Sequence, residues 1–318
     1  MNYVIQNKAV IFCLLVLTTA GCQMPNVQPF ADATAQLRQA VITTGNLTIA
    51  AMRATPYTDD ESNVIPLNSE NHPANRLTDI WAERTRAMDT LVNYSDSLAQ
   101  VVDAGKSAEK TASNLVNSIS NIADTMTGGE GFSDETGALA TLIVKYGVQL
   151  KAAHAVDQAV TAAHPVIAGI GKIVKKDLSS LAILYNNEYV DILDNIDEEY
   201  GVRNTYRMDL IKKVTVARVD MLEADFSNES VAEVSKIEKL LAATEKDHQE
   251  FTAKMQAAKT NHHEGQRAFA TAINAVDFWI AAHKELHLAI RENRRPNVQL
   301  LLTAIQEVKI AVDNVREH

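Results

Sequence analysis

The sequence predicts an all-α fold: an elongated helical bundle with two very long coiled-coil-like helices. Composition is the first observation behind this. Among 318 residues Gly (12), Pro (7) and aromatics (5%) are sparse, while 46% are hydrophobic and 22% charged. Such usage suits long helices and argues against a β-sandwich or barrel. The second is periodicity: two segments carry apolar residues at alternating three and four spacing for far longer than an ordinary helix. The third is punctuation, with Gly, Pro and N-cap residues placed between the periodic runs.

The elements follow in order. A helix is expected from about Phe30 to Arg53. A polar loop from Thr55 to Ala74 holds Pro56, Pro66 and Pro73. The next helix is expected from Asn75, an N-cap residue, to the Gly128-Gly129 stop. Its length would be roughly 78 Å at 1.5 Å per residue. One heptad row reads Leu77, Arg84, Leu91, Leu98, Gly105, Ala112, Ile119, Met126, and its companion Ile80, Ala87, Tyr94, Val101, Ala108, Leu115, Ile122. Arg84 alone is plainly polar in either row.

A loop from Gly128 to Gly137 precedes a helix expected from Ala138 to His164, where Pro165 should break or kink it. A further helix burying Ile167, Ile170, Val174, Leu178, Leu181, Tyr185, Ile192 and Ile196 should end at Gly201, and a shorter one covers Asn204 to Asp225. Ser230 and Glu233 form a capping-box pattern opening the longest helix, to about Glu292. Its rows are Val234, Leu241, His248, Met255, His262, Phe269, Val276, His283, Ile290 and Ile237, Thr244, Phe251, Ala258, Gly265, Ala272, Trp279, Leu286. After Arg294, Arg295 and Pro296 a last helix covers Asn297 to Arg316. The two long helices, each with a seam glycine, are expected to pack as the spine of the bundle.

The leader gives the address. An apolar run from Ala9 to Ala20 follows the lone basic Lys8, and it is too short to span a hydrocarbon core of ~30 Å; it has secretory proportions instead. The run ends in Leu17, Thr18, Thr19, Ala20, Gly21, Cys22. This resembles the lipobox of bacterial lipoproteins, with Thr19 where those proteins usually carry Leu. The resemblance implies cleavage between Gly21 and Cys22, with Ala20 and Gly21 as the flanking small residues, and diacylglyceryl and acyl chains on Cys22. Several chains give stable anchoring where one does not. Gln23, in place of the Asp that retains lipoproteins in the inner membrane, implies the outer membrane. The organisation is then a signal peptide over residues 1–21, a tether over 22–29 and a helical domain over 30–318. Cys13 leaves with the leader, so no thiol remains for nucleophilic or metal chemistry in the mature chain. The formal charge of −10 gives no reason to bind nucleic acid.

Histidines are the sharpest candidates for chemistry. His248, His262 and His283 occupy one heptad row. They suit neutral, hydrogen-bonded residues that fix register, or a pH-sensitive element, or metal ligands. His283 and His287 have i, i+4 spacing, but Lys284 stands where a zinc protease has Glu. His248 and His262 lie ~21 Å apart along a helix and cannot share an ion. Asp191, Asp194, Asp197, Glu198 and Glu199 form an acidic cluster, expected at a helix C-terminus where a basic partner would relieve it. The apolar segment from Ala138 to Gly171 resembles the inserting hairpins of helical pore-forming toxins, although Lys145, Lys151, His154, Asp157 and Lys172 interrupt it. No catalytic motif and no metal set is present in the sequence, and no cofactor is expected beyond the covalent lipid. The expected function is a non-enzymatic, lipid-anchored scaffold or adaptor, with a membrane on one side and other envelope proteins or a second copy as partners. The alternatives are a membrane-active helical protein and a histidine-based pH or metal sensor.

Overall fold

In the computed structural model the described residues are 26–104, 117–118, 121, 156–223, 226–292 and 294–317. Six helices are named among them: α1 (Gln28–Ala54), α2 (Pro73–Ala104), α3 (Val156–Glu223), α4 (Asn228–Ala243), α5 (Glu245–Arg291) and α6 (Gln299–Glu317). The chain is an all-α helical bundle. The leader with Ala20, Gly21 and Cys22, the seam of the second helix from Gly105 onward, the loop from Gly128 to Gly137 and the expected helix from Ala138 up to residue 155 lie outside the described residues.

Several boundaries differ from the sequence reading, each for a local reason. α2 begins at Pro73, where a proline costs no hydrogen bond, and His72 caps it by accepting from the Ala74 N–H at 3.2 Å through Nδ1. Asn75 is inside the first turn. Its amide instead ties down the preceding loop by donating to the Leu67 and Ser69 carbonyls, both at 2.8 Å.

α3 runs for 68 residues straight through both Pro165 and Gly201. A helix-interior proline costs roughly 3 kcal/mol, but Val160, Ala163, Val166, Ile167 and Ile170 around it are buried, and burying side chains of this kind is worth about 1.5–3 kcal/mol each for the larger ones. Packing therefore overrides the local break.

The expected single helix from Ser230 to Glu292 is two. Its N-cap is Ser227, whose hydroxyl accepts from the Ser230 N–H. Thr244 separates α4 from α5. The Leu241 carbonyl, which a continuous helix would offer to residue 245, accepts from Arg207 Nη1 at 2.9 Å and from the Thr244 hydroxyl at 3.0 Å. A side chain inserted into the ladder is a recognised cause of helix interruption.

The chain divides into two compact units. One draws on Met1–Ile42, Thr78–Leu178 and Thr271–Glu307, the other on Thr43–Leu77, Ser179–Ala270 and Val308–His318. In the first unit Arg84, the polar residue of the α2 seam, pairs with Asp177 of α3 at 2.7 Å. Trp279 is buried and donates to the Thr34 hydroxyl at 3.0 Å, which in turn donates to the Phe30 carbonyl. His164, Gly171 and Lys175 of α3 meet His283, Ile280 and Asp277 of α5 in that order, so the two helices are antiparallel there.

The second unit shows the same sense: Asn186, Tyr200 and Arg207 of α3 meet His262, Phe251 and Thr244. Along α5 the described members of both predicted heptad rows are buried or half-buried, never exposed. Beyond Gly201 only a narrow core continues, made of Leu210, Val214 and Ala217 of α3 against Val234 and Ile237 of α4, with Met221 and Leu241 packed on it.

Candidate functional site

The four predicted histidines go to separate places. His283 is fully buried in the first unit. Its Nε2 lies 2.7 Å from the Tyr94 hydroxyl and its Nδ1 3.3 Å from Nδ1 of His164. The two imidazoles stack at 5.5 Å, and the Phe30 ring meets His283 edge-on at 5.8 Å. Burial, then the charges of His164 and His287, pulls the His283 pKa down to about 3, so it is neutral at physiological pH. His164 is also lowered, first by burial and then by Lys284 and His287. Burial raises the Tyr94 phenol. Only one of the facing Nδ1 atoms can carry the shared proton, because two charged rings would set N–H against N–H. His287 turns away to Thr161 Oγ1 at 2.9 Å.

In the second unit His262 has its Nε2 2.9 Å from Asn186 Oδ1 and stacks on Tyr189 at 5.5 Å. Burial and then the neighbouring His263 lower its pKa. His248 is half-buried, and its Nδ1 is buried without a hydrogen-bond partner. It lines a cavity of about 250 Å³ together with Tyr200, Tyr206, Arg203, Arg207 and Phe251. Among the described residues no group of three or more His, Cys, Asp or Glu side chains is arranged to hold a metal ion.

Asp191, Asp194, Asp197, Glu198 and Glu199 are all exposed. Because α3 continues past Gly201, they lie in a helix interior and not at its C-terminus, so the dipole conflict expected from the sequence does not arise. Lys254 of α5 supplies a cation beside Glu199, its ammonium held above its ordinary pKa first by its bond to the Tyr200 hydroxyl at 2.7 Å and then by that carboxylate.

Sequence reasoning missed Glu188. It is buried, and accepts from the Tyr57 hydroxyl; burial and then Glu188 and Asp191 raise that phenol. Its position, three after Tyr185 and four before Ile192, is on the apolar stripe, and that spacing was the available signal.

It also missed a second apolar stripe on the distal part of α3. Met208, Ile211, Val219 and Leu222 are 48, 38, 49 and 63% exposed, and Thr215 between them is exposed too. At 100° per residue these five fall within an arc of about 80°, centred roughly 130° from the stripe of Leu210, Val214 and Ala217 that packs on α4. This part of α3 is apolar on two sides, and α4 covers one. Elsewhere, no described helix is long and apolar enough to cross a membrane. No protein-family model, no curated protein and no solved structure matches this chain.

Proposed function

We propose that this chain is a lipid-anchored, non-enzymatic helical scaffold of the cell envelope, held to a membrane through Cys22 and docking a partner by a helix face. The observation that carries the reading is the second stripe of α3. A contiguous set of large apolar side chains left in water is costly, and such patches mark interaction surfaces. Spacing of three and four residues along one line suits another helix. The lipobox-like leader supplies the anchor, and the charge of −10 speaks against nucleic acid as the partner.

The test has two parts. Lipid labelling in cells should mark the full chain and be lost in Cys22→Ser. A pull-down from membranes solubilised in mild detergent should recover a stoichiometric partner, and the double substitution Ile211→Glu/Leu222→Glu should release it. A chain that takes no lipid label, or that runs as a monomer with nothing bound, overturns the proposal.

A second reading has one specific observation behind it. The His164–His283 pair, enclosed by Tyr94 and Phe30, makes the first unit responsive to pH. In that reading acid loosens the unit, and the scaffold's binding changes with it.

A further inference from the structure

We infer that the partner of the exposed α3 stripe is the same stripe on a second copy of this chain, packed antiparallel about Thr215. This deepens the docking proposal above and rests on it.

The pattern is symmetric along the sequence. From Met208 the steps to Ile211, Thr215, Val219 and Leu222 are three, four, four and three residues. A two-fold axis at Thr215 therefore sets Met208 against Leu222 of the other copy and Ile211 against Val219, with the small Thr215 meeting itself where the helices come closest. Self-complementarity of this kind is what a two-fold interface requires. A partner of unrelated sequence would not require it.

Charge agrees. Lys212 and Glu223 lie on one edge of the stripe, and both are exposed. Antiparallel pairing runs that edge of one copy along the same edge of the other, so the lysine side of each faces the glutamate side of its mate. Arg218, on the opposite edge, is already neutralised by Glu238 of α4 at 2.7 Å. A membrane surface fits less well. An interfacial helix carries a broad apolar face and a Lys- and Arg-rich polar one, whereas this stripe is narrow and its surroundings include Asp209, Asp220 and Glu223. Tethering copies to one membrane would raise their effective concentration and favour a modest interface of this length.

Cysteine cross-linking of the full chain in mild detergent tests the register. Thr215→Cys should form a disulfide dimer under mild oxidation roughly tenfold more than Lys213→Cys, which points to the opposite side of the helix. Adding Ile211→Glu/Leu222→Glu should abolish the dimer while leaving helix content unchanged, because these side chains lie on the uncovered side of the helix. Equal cross-linking at Thr215 and Lys213, or none at either, overturns the inference. If cross-linking fails but the double substitution still releases a different protein in the pull-down, self-pairing falls and the docking face stands. If the stripe instead proves necessary for binding to lipid vesicles and nothing cross-links, both fall.

Discussion

Tyr185 of α3 lies directly over Gly265 of α5: a Cβ added at the glycine would fall on the Tyr185 hydroxyl and ring. The hydroxyl uses that gap to donate to the Asn261 carbonyl at 2.6 Å, and the ring is buried against Phe269 at 5.6 Å. Gly265→Ala should therefore destabilise the protein by about 1–3 kcal/mol, the usual range for overpacking, although alanine is the better helix former. Chemical denaturation measures this. A gain in stability would show that the two helices do not approach there. Gly201→Ala is the control: nothing lies within 4 Å of its Cβ position, and it should stabilise by up to about 1 kcal/mol.

The buried histidines predict acid lability. His283 has a folded-state pKa near 3, below its ordinary 6.5. Its neutral form is therefore favoured in the folded state, and the stability it supports is complete above about pH 6.5 and lost as pH falls towards 3. The slope is about 1.4 kcal/mol per pH unit for each proton the unfolded chain takes up first. His164 and His262 are shifted in the same direction and add to it. His283→Gln, which retains a hydrogen-bonding side chain beside Tyr94 and cannot titrate, should flatten thermal stability against pH over this window. An unchanged slope would remove His283 as its source.

Tyr94→Phe leaves His283 Nε2 buried without its partner at 2.7 Å. Loss of about 1–3 kcal/mol is expected. On acidification from pH 7 to pH 5.5 the substituted protein should lose stability no more steeply than Trp279→Phe, because a folded-state pKa near 3 already keeps His283 unprotonated across that window. Trp279→Phe breaks a bond to Thr34, and no histidine is party to that bond. Denaturation at pH 7 and pH 5.5 compares them.

Arg207→Met should mend the break between α4 and α5. With the guanidinium gone, only the Thr244 hydroxyl and N–H still hold the Leu241 carbonyl, which can then turn to the backbone N–H of Glu245 so that the Thr244 turn (φ −92°, ψ −2°) becomes regular helix. Slower hydrogen exchange of the Glu245 amide is the expected readout. The same substitution removes the pair with Glu245 at 2.5 Å; the bond from Gln249 first, and this pair second, hold that carboxylate below its ordinary pKa. If the amide exchanges as before, Arg207 is not what interrupts the helix.

The sequence by itself determined that the fold is all-α and which rows of α5 turn inward. Heptad spacing named the row from Val234 in α4 to Ile290 in α5, all of it buried or half-buried, including His283, a residue no propensity scale would place in a core. That is possible because a 3.6-residue period is local, and burial follows from it directly. Tertiary structure decided everything that depends on which helix lies alongside. Pro165 and Gly201 carry local break signals, yet α3 passes through both because its neighbours reward continuity. Thr244 carries no such signal, yet the helix stops there because Arg207, distant in sequence, takes a backbone acceptor. His283 and His287 share a helix face, and only their neighbours set one against Tyr94 and His164 and the other against Thr161. The second stripe of α3 was written in the sequence as plainly as the first. Which of the two would be left uncovered depended on where α4 came to rest, and that is a property of the fold.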